Sequence, residues 1–227
     1  MNAIEVEDLR KVYRSKGSDN VALEGVSFRV PQGAIFGLLR PHGAGKTTLV
    51  KILTTIIPPT GGRASVMGCD VAGNPLDVRR RIAVVLQQTA VDGLLTVEDN
   101  LLIYAHLHHV PRREARKRMQ KVVEEFDLGD RLGQTVYDLS IGTKRRVQVA
   151  KIFMVDSPVI FMDEATTGMD PFMKRRVMDR ILAESRGGRT VLMTTQVLSE
   201  AEQLCDAIVI IDRGGVLECG YVHGLSR

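Results

Sequence analysis

Through the first part of the chain, apolar and polar residues alternate. The segments Asn2–Tyr13 (NAIEVEDLRKVY) and Val21–Val30 (VALEGVSFRV, with Val26, Phe28 and Val30 on one side) predict two half-buried antiparallel strands. The turn at Pro31–Gly33 leads into AIFGLL (residues 34–39), an unbroken apolar run that predicts a buried strand. At Lys46 the period lengthens: Leu49, Ile52, Leu53 and Ile56 share one face of an expected helix that Pro58 and Pro59 end. A further apolar strand is expected over RIAVVLQ (residues 81–87). Residues 96–127 then read as helical, capped at Thr96 and broken at Pro111. Beyond that, the expected order is a helix from Ser140, strand VIFMD (159–163), a helix from Pro171 and strand TVLMTT (190–195). A helix from Ser199, with Glu202 at capping-box spacing, and a strand AIVIID (207–212) complete it.

Strands that alternate with helices imply a largely parallel sheet covered by helices. The reading is therefore an α/β protein with an N-terminal antiparallel β subdomain and an inserted α-helical subdomain. The expected organisation is one domain over 1–227. Residues 1–88 and 156–227 form its core, and about 89–155 the helical subdomain.

Composition narrows the class only a little. A net charge of +4, with the arginine clusters interleaved by acids, gives no nucleic-acid footprint, and no nucleic-acid partner is expected. Three cysteines without a C-x-x-C pair suit a reducing cytosol. No leader opens the chain, and its longest apolar runs fall short of a membrane span, so any membrane role is expected to need another chain. His106, His108 and His109 are read as a solvated helix cluster, with His106 and His109 on one face.

The chemistry begins at Arg40–Leu49, RPHGAGKTTL, between a predicted strand and a predicted helix. Strand, glycine-rich loop and helix form the setting of a P-loop NTPase core. Gly43, Ala44 and Gly45 let successive amides turn inward on a phosphate chain, and the helix start adds its positive dipole. Lys46 would reach the β- and γ-phosphates, and the Thr47 hydroxyl would bind Mg²⁺. A second oxygen source for the metal is Asp163, at the end of VIFMDE. Glu164 then stands where a general base would face the attacking water.

With these motifs in place the chain resembles the ATP-binding-cassette (ABC) ATPases nearly end to end. RPHGAGKTTLVKIL is similar to their Walker A and VIFMDEATTGMDP to their Walker B and D-loop. LSIGTKRRVQVAKIF resembles their signature helix, and VVLQQTAVDGLLTVEDNL their Q-loop. TTGMDP and SEAEQLCD look most like the ATPase components of bacterial exporters. The resemblance implies a nucleotide site of Pro41, His42, Gly43, Ala44, Gly45, Lys46, Thr47 and Thr48, with Tyr13 stacked on adenine or else a plain edge-strand tyrosine. It implies Thr47, Gln87 and Asp163 on Mg²⁺, with Gln88 less well placed by register than Gln87. Ser140, Gly142, Thr143 and Asp170 would meet the ATP held by a second cassette, identical or not, in a head-to-tail dimer. A separate transmembrane permease would receive the motion, and the cassette would lie on the cytoplasmic face of the cell membrane.

Three departures from the family pattern fall at catalytic positions. Arg40 replaces the first Walker A glycine, where it strains the turn by about 1–2 kcal/mol, adds attraction for phosphate or simply points to solvent. Ile141 replaces a signature glycine, and Gln196 stands where the family has a histidine on the γ-phosphate. Losing a transition-state donor of that kind costs on the order of 10²–10³ in rate, and glutamine replaces it in part. Lys46, Thr47, Gln87, Asp163 and Glu164 are intact. The sequence therefore predicts an ATP-driven, slow ATPase with Glu164, Gln196 and Lys46 as catalytic residues. The alternative is a hydrolysis-impaired partner or ATP-gated clamp.

Overall fold

The computed structural model describes residues 1–14, 19–39, 46–88, 90–212 and 214–222. It divides into two compact units: Met1–Val84 with Ser157–Glu164 and Ile181–Arg227, and Val85–Asp156 with Ala165–Arg180.

The first unit holds two sheets. Strands β1 (Asn2–Tyr13), β2 (Asn20–Pro31), β4 (Gly61–Val66) and β5 (Cys69–Asp70) pair antiparallel in the order β2-β1-β4-β5. The second sheet contains β3 (Ile35–Leu39), β6 (Ile82–Val85), β7 (Val159–Asp163), β8 (Thr190–Thr195), β9 (Ala207–Asp212) and β10 (Gly215–Tyr221). Its order is β10-β9-β3-β8-β7-β6. Strands β7, β8, β3 and β9 run parallel, and β10 turns back antiparallel on β9. Every residue of β3, β7 and β8 is buried, which is why these strands read as apolar runs and not as alternations. The β7–β8 register sets Met162 opposite Met193 and Asp163 opposite Thr194. That register carries polar groups to the C-terminal edge of an otherwise apolar layer.

Helix α1 (Lys46–Leu53) buries Leu49, Ile52 and Leu53 but ends three residues short of Ile56. Thr55 takes a φ of 62°, the chain reverses before the prolines are reached, and Ile56 is left 50% exposed. The expected capping box at Ser199 and Glu202 does not form. Helix α7 (Leu198–Leu204) starts earlier, with Val197 at its N-cap, so Ser199 lies inside the helix. Thr195 takes over locally: its Oγ1 accepts from the Val197 N–H at 3.1 Å and donates to buried Glu200 at 2.8 Å. Short α2 (Pro75–Arg79) and strands β4, β5 and β10 had no readable period.

The second unit contains α3 (Val97–Leu107), α4 (Arg112–Glu125), α5 (Ile141–Ile152) and the start of α6 (Pro171–Arg186), up to Arg180. Thr96 caps α3 by accepting from the Asp99 N–H, as its sequence position predicts, and Pro111 occupies the N-cap of α4. Phe126 and Phe153 stack at 5.7 Å in the core, under the guanidinium of Arg180. Helix α3 stops at Leu107, and His109 adopts a φ of 61°, so His106 and His109 do not share a helix face. His108 instead packs on the Tyr104 ring at 4.7 Å, where burial lowers its pKa.

Strands β1 and β4 approach closely at the β1 bulge. Strand β1 bulges at Asp8 (φ 48°), and Gly62, with a φ of 72°, fits beneath it; a Cβ there would lie 2.1 Å from the Asp8 carbonyl oxygen. Gly62→Ala is expected to lower the unfolding free energy by more than about 2 kcal/mol. Urea denaturation measures it, and a midpoint equal to that of the wild type would show that the bulge yields freely.

Candidate functional site

In the first unit, the functional side chains gather at the C-terminal ends of β7 and β8 and the start of α1, which packs against β7. Asp163 closes β7 and is 1% exposed; its Oδ1 accepts a 2.6 Å hydrogen bond from Thr194 Oγ1. A carboxylate shut away at a strand end requires strong compensation. The donors here, the Asp163 carboxylate and the Thr47 hydroxyl, are hard oxygen atoms of the kind that Mg²⁺ takes. Thr47 is half-buried in the first turn of α1.

Glu164 follows directly, with a φ of 49°, a left-handed backbone that bulky residues seldom hold. Its N–H is bonded to both the carbonyl oxygen (3.2 Å) and Oγ1 (3.0 Å) of Thr194, which fixes that conformation. The turn swings the Glu164 carboxylate toward Gln196, whose Nε2 donates to Glu164 Oε1 at 2.5 Å. Glu164 is half-buried and Gln196 exposed, so the pair sits at a solvent-accessible rim above the buried aspartate. Thr194 thus binds both acidic residues. Sequence reasoning missed it, although two threonines closing the otherwise apolar strand TVLMTT were a signal.

Tyr13 lies at the end of β1, with its hydroxyl 3.4 Å from Thr48 Oγ1 and the Lys11 ammonium 5.3 Å from its ring centre. The strand end and the first turn of α1 therefore meet. Arg40, Pro41, His42, Gly43, Ala44 and Gly45 lie outside the described residues, as does the Lys46 side chain; the Lys46 backbone opens α1.

The remaining sequence-predicted residues belong to the second unit. Ser140 is the N-cap of α5: its Oγ accepts from the Thr143 N–H at 3.1 Å and lies 2.9 Å from Thr143 Oγ1. The first amides of any α-helix lack carbonyl partners within it, so this turn leaves the Ile141 and Gly142 amides without helical partners. Ile141 stands 83% exposed beside it. Asp170 caps α6 by accepting from the Met173 N–H at 2.9 Å, and that bond holds its carboxyl below the usual range. The Gln87 side chain is exposed, and its carbonyl accepts from Arg145 Nη1 at 3.2 Å.

Further along α5, Lys151 is largely buried. Its ammonium lies 5.1 Å from the centre of the Tyr104 ring and donates to the Ala90 carbonyl. Burial lowers its pKa from 10.5 to about 8. Between those two values the unfolded chain binds the extra proton, so stability should rise with pH across that window; below it the cost of the buried charge is paid in full. Lys151→Met should flatten this rise, at most about 3 kcal/mol, relative to wild type. Urea titrations of both proteins from pH 7.5 to 10.5 measure the difference, and parallel curves would refute the assignment.

A profile of the ABC transporter family matches residues 23–167. Among curated relatives, the daunorubicin resistance ATP-binding protein DrrA3 of Streptomyces coeruleorubidus is 42% identical over 99% of this chain and 70% of its own length. The Nod factor export ATP-binding protein I of Ralstonia nicotianae is 36% identical over 98% of this chain and 68% of its own. A solved ATP-binding subunit of an ABC transporter matches with a TM-score of 0.90 at 29% identity, covering 97% of this chain and 90% of that one. A dimeric cassette in a post-hydrolysis state, bound to ADP and phosphate, shares the fold with a TM-score of 0.90 at 22% identity, over 98% of this chain and all of that one (100%).

Proposed function

The chain belongs to the ABC transporter family, and on that premise we propose that it is the ATPase subunit of an exporter whose hydrolysis is slowed by Gln196. Residues 41–48 cradle the triphosphate, Lys46 meets its β- and γ-phosphates, and Tyr13 stacks on the base. Thr47 and Asp163 supply oxygen donors for Mg²⁺, with Gln87 added to that set. The metal, when bound, neutralises charge on the phosphates. Glu164 accepts a proton from the attacking water. A second cassette, identical or not, seats its nucleotide's γ-phosphate on Ser140, Gly142 and Thr143, beside Asp170. The resulting closure drives a separate membrane-spanning permease, with the cassette on the cytoplasmic face. Among the described residues no helix is long and apolar enough to cross a membrane. The names of the relatives, drug resistance and Nod factor export, support the export direction.

The observation that carries the slow rate is the 2.5 Å hydrogen bond from Gln196 Nε2 to Glu164 Oε1. That bond occupies a Glu164 oxygen that would otherwise accept from the attacking water. An amide cannot take up charge or pass on a proton as an imidazole does. The same contact favours the second reading, an ATP-gated clamp, if the brake is complete.

Steady-state phosphate release by the purified chain separates these readings. Gln196→His should raise kcat by about tenfold, a fraction of the full effect of a transition-state donor. Glu164→Gln should lower it by about 10²–10⁴-fold. A wild type no faster than Glu164→Gln, with activity restored by Gln196→His, identifies the clamp. No gain from the histidine would show that Gln196 is not the brake.

Lys46→Ala is expected to abolish binding of a fluorescent ATP analogue while leaving the thermal unfolding midpoint near that of the wild type. Retained affinity would show that the triphosphate is held elsewhere.

A further inference from the structure

Three polar residues recur at i, i+3 and i+6 along one face of α5: Arg145, Gln148 and Lys151, respectively 6%, 0% and 9% exposed. Polar side chains are buried to this degree only when their donors are matched. Here the partners belong largely to one segment. Arg145 Nη1 donates to the carbonyls of Leu86 (2.8 Å) and Gln87 (3.2 Å) and to Gln148 Oε1 (2.9 Å). Gln148 Nε2 donates to the carbonyls of Leu86 (2.8 Å) and Gln88 (2.9 Å). Lys151 Nζ donates to the Ala90 carbonyl. Arg145 Nε also donates to the Ala165 carbonyl at 3.1 Å.

We propose that Arg145, Gln148 and Lys151 are positioning residues, a carbonyl clamp through which α5 holds the backbone around Gln87 so that helix and segment move as one piece. The proposal rests on the reading that Gln87 serves ATP hydrolysis. Leu86, Gln87, Gln88 and Ala90 follow the end of β6 at Val85 and precede α3, so the clamp grips residues between regular elements. Because the grip is on carbonyl oxygens, it senses the path of the backbone and not the side chains along it. The helix that provides the grip is also the one whose first turn carries Ser140 and Gly142. Phosphate capture at that turn and the placement of Gln87 are thereby tied to a single rigid element, the physical requirement for coupling two sites.

A purely space-filling role predicts something different, and two measurements on the whole chain distinguish them. Hydrogen–deuterium exchange without nucleotide should rise about fivefold or more over residues 86–91 in Gln148→Met and in Lys151→Met, and stay near wild type in Lys151→Arg, which keeps a donor. Unchanged exchange there in both methionine variants overturns the clamp. In steady-state hydrolysis, Gln148→Met should lower kcat about tenfold or more with the KM for ATP unchanged, and cause no further loss in a Gln87→Ala background. Equal losses in both backgrounds overturn the positioning role. A wild type without hydrolysis counts against the ATPase reading itself, and the exchange measurement then decides the clamp alone.

Discussion

The buried hydrogen bond from Thr194 to Asp163, 2.6 Å long, is the contact on which the candidate catalytic edge of the first unit depends. It joins the ends of two fully buried parallel strands, and its register is set by the apolar pairs before it, Phe161 against Leu192 and Met162 against Met193. A one-residue slip would turn Asp163 to the opposite face of the sheet. The same threonine binds the Glu164 amide, so one hydroxyl and its neighbouring carbonyl orient both acidic residues. The hydrophobic core and the chemistry are therefore parts of one construction: burial of the strands aims the carboxylates.

Much of this was legible in the chain itself. Long apolar runs such as VIFMD and TVLMTT identified central strands because all-round burial leaves no alternation to misread. Thr96 and Ser140 identified helix starts because a hydroxyl at an N-cap has a local partner three residues on. What was hidden depended on partners distant in sequence. Strand β4, GGRASV, has no period of its own and exists because β1 offers it an edge. Ile56 and Ser199 matched local patterns that turn geometry overrode at Thr55 and Thr195.

The site divides in the same way. Residue types at motif spacing pointed to Glu164 and Gln196, but only the fold brings the Gln196 amide onto the Glu164 carboxylate, 32 residues away. Arg145, Gln148 and Lys151 carry no mark in the sequence, since nothing in a helical period reveals that carbonyls some 60 residues upstream will cover them.

The left-handed backbone of Glu164 has one more implication. A glutamate in that conformation is strained by about 1–3 kcal/mol relative to a glycine, which would relax there at no steric cost. The position is thus one where the most durable protein and the working one call for different amino acids. A change to glycine at this point would relax the backbone while removing the carboxylate that we propose as the base.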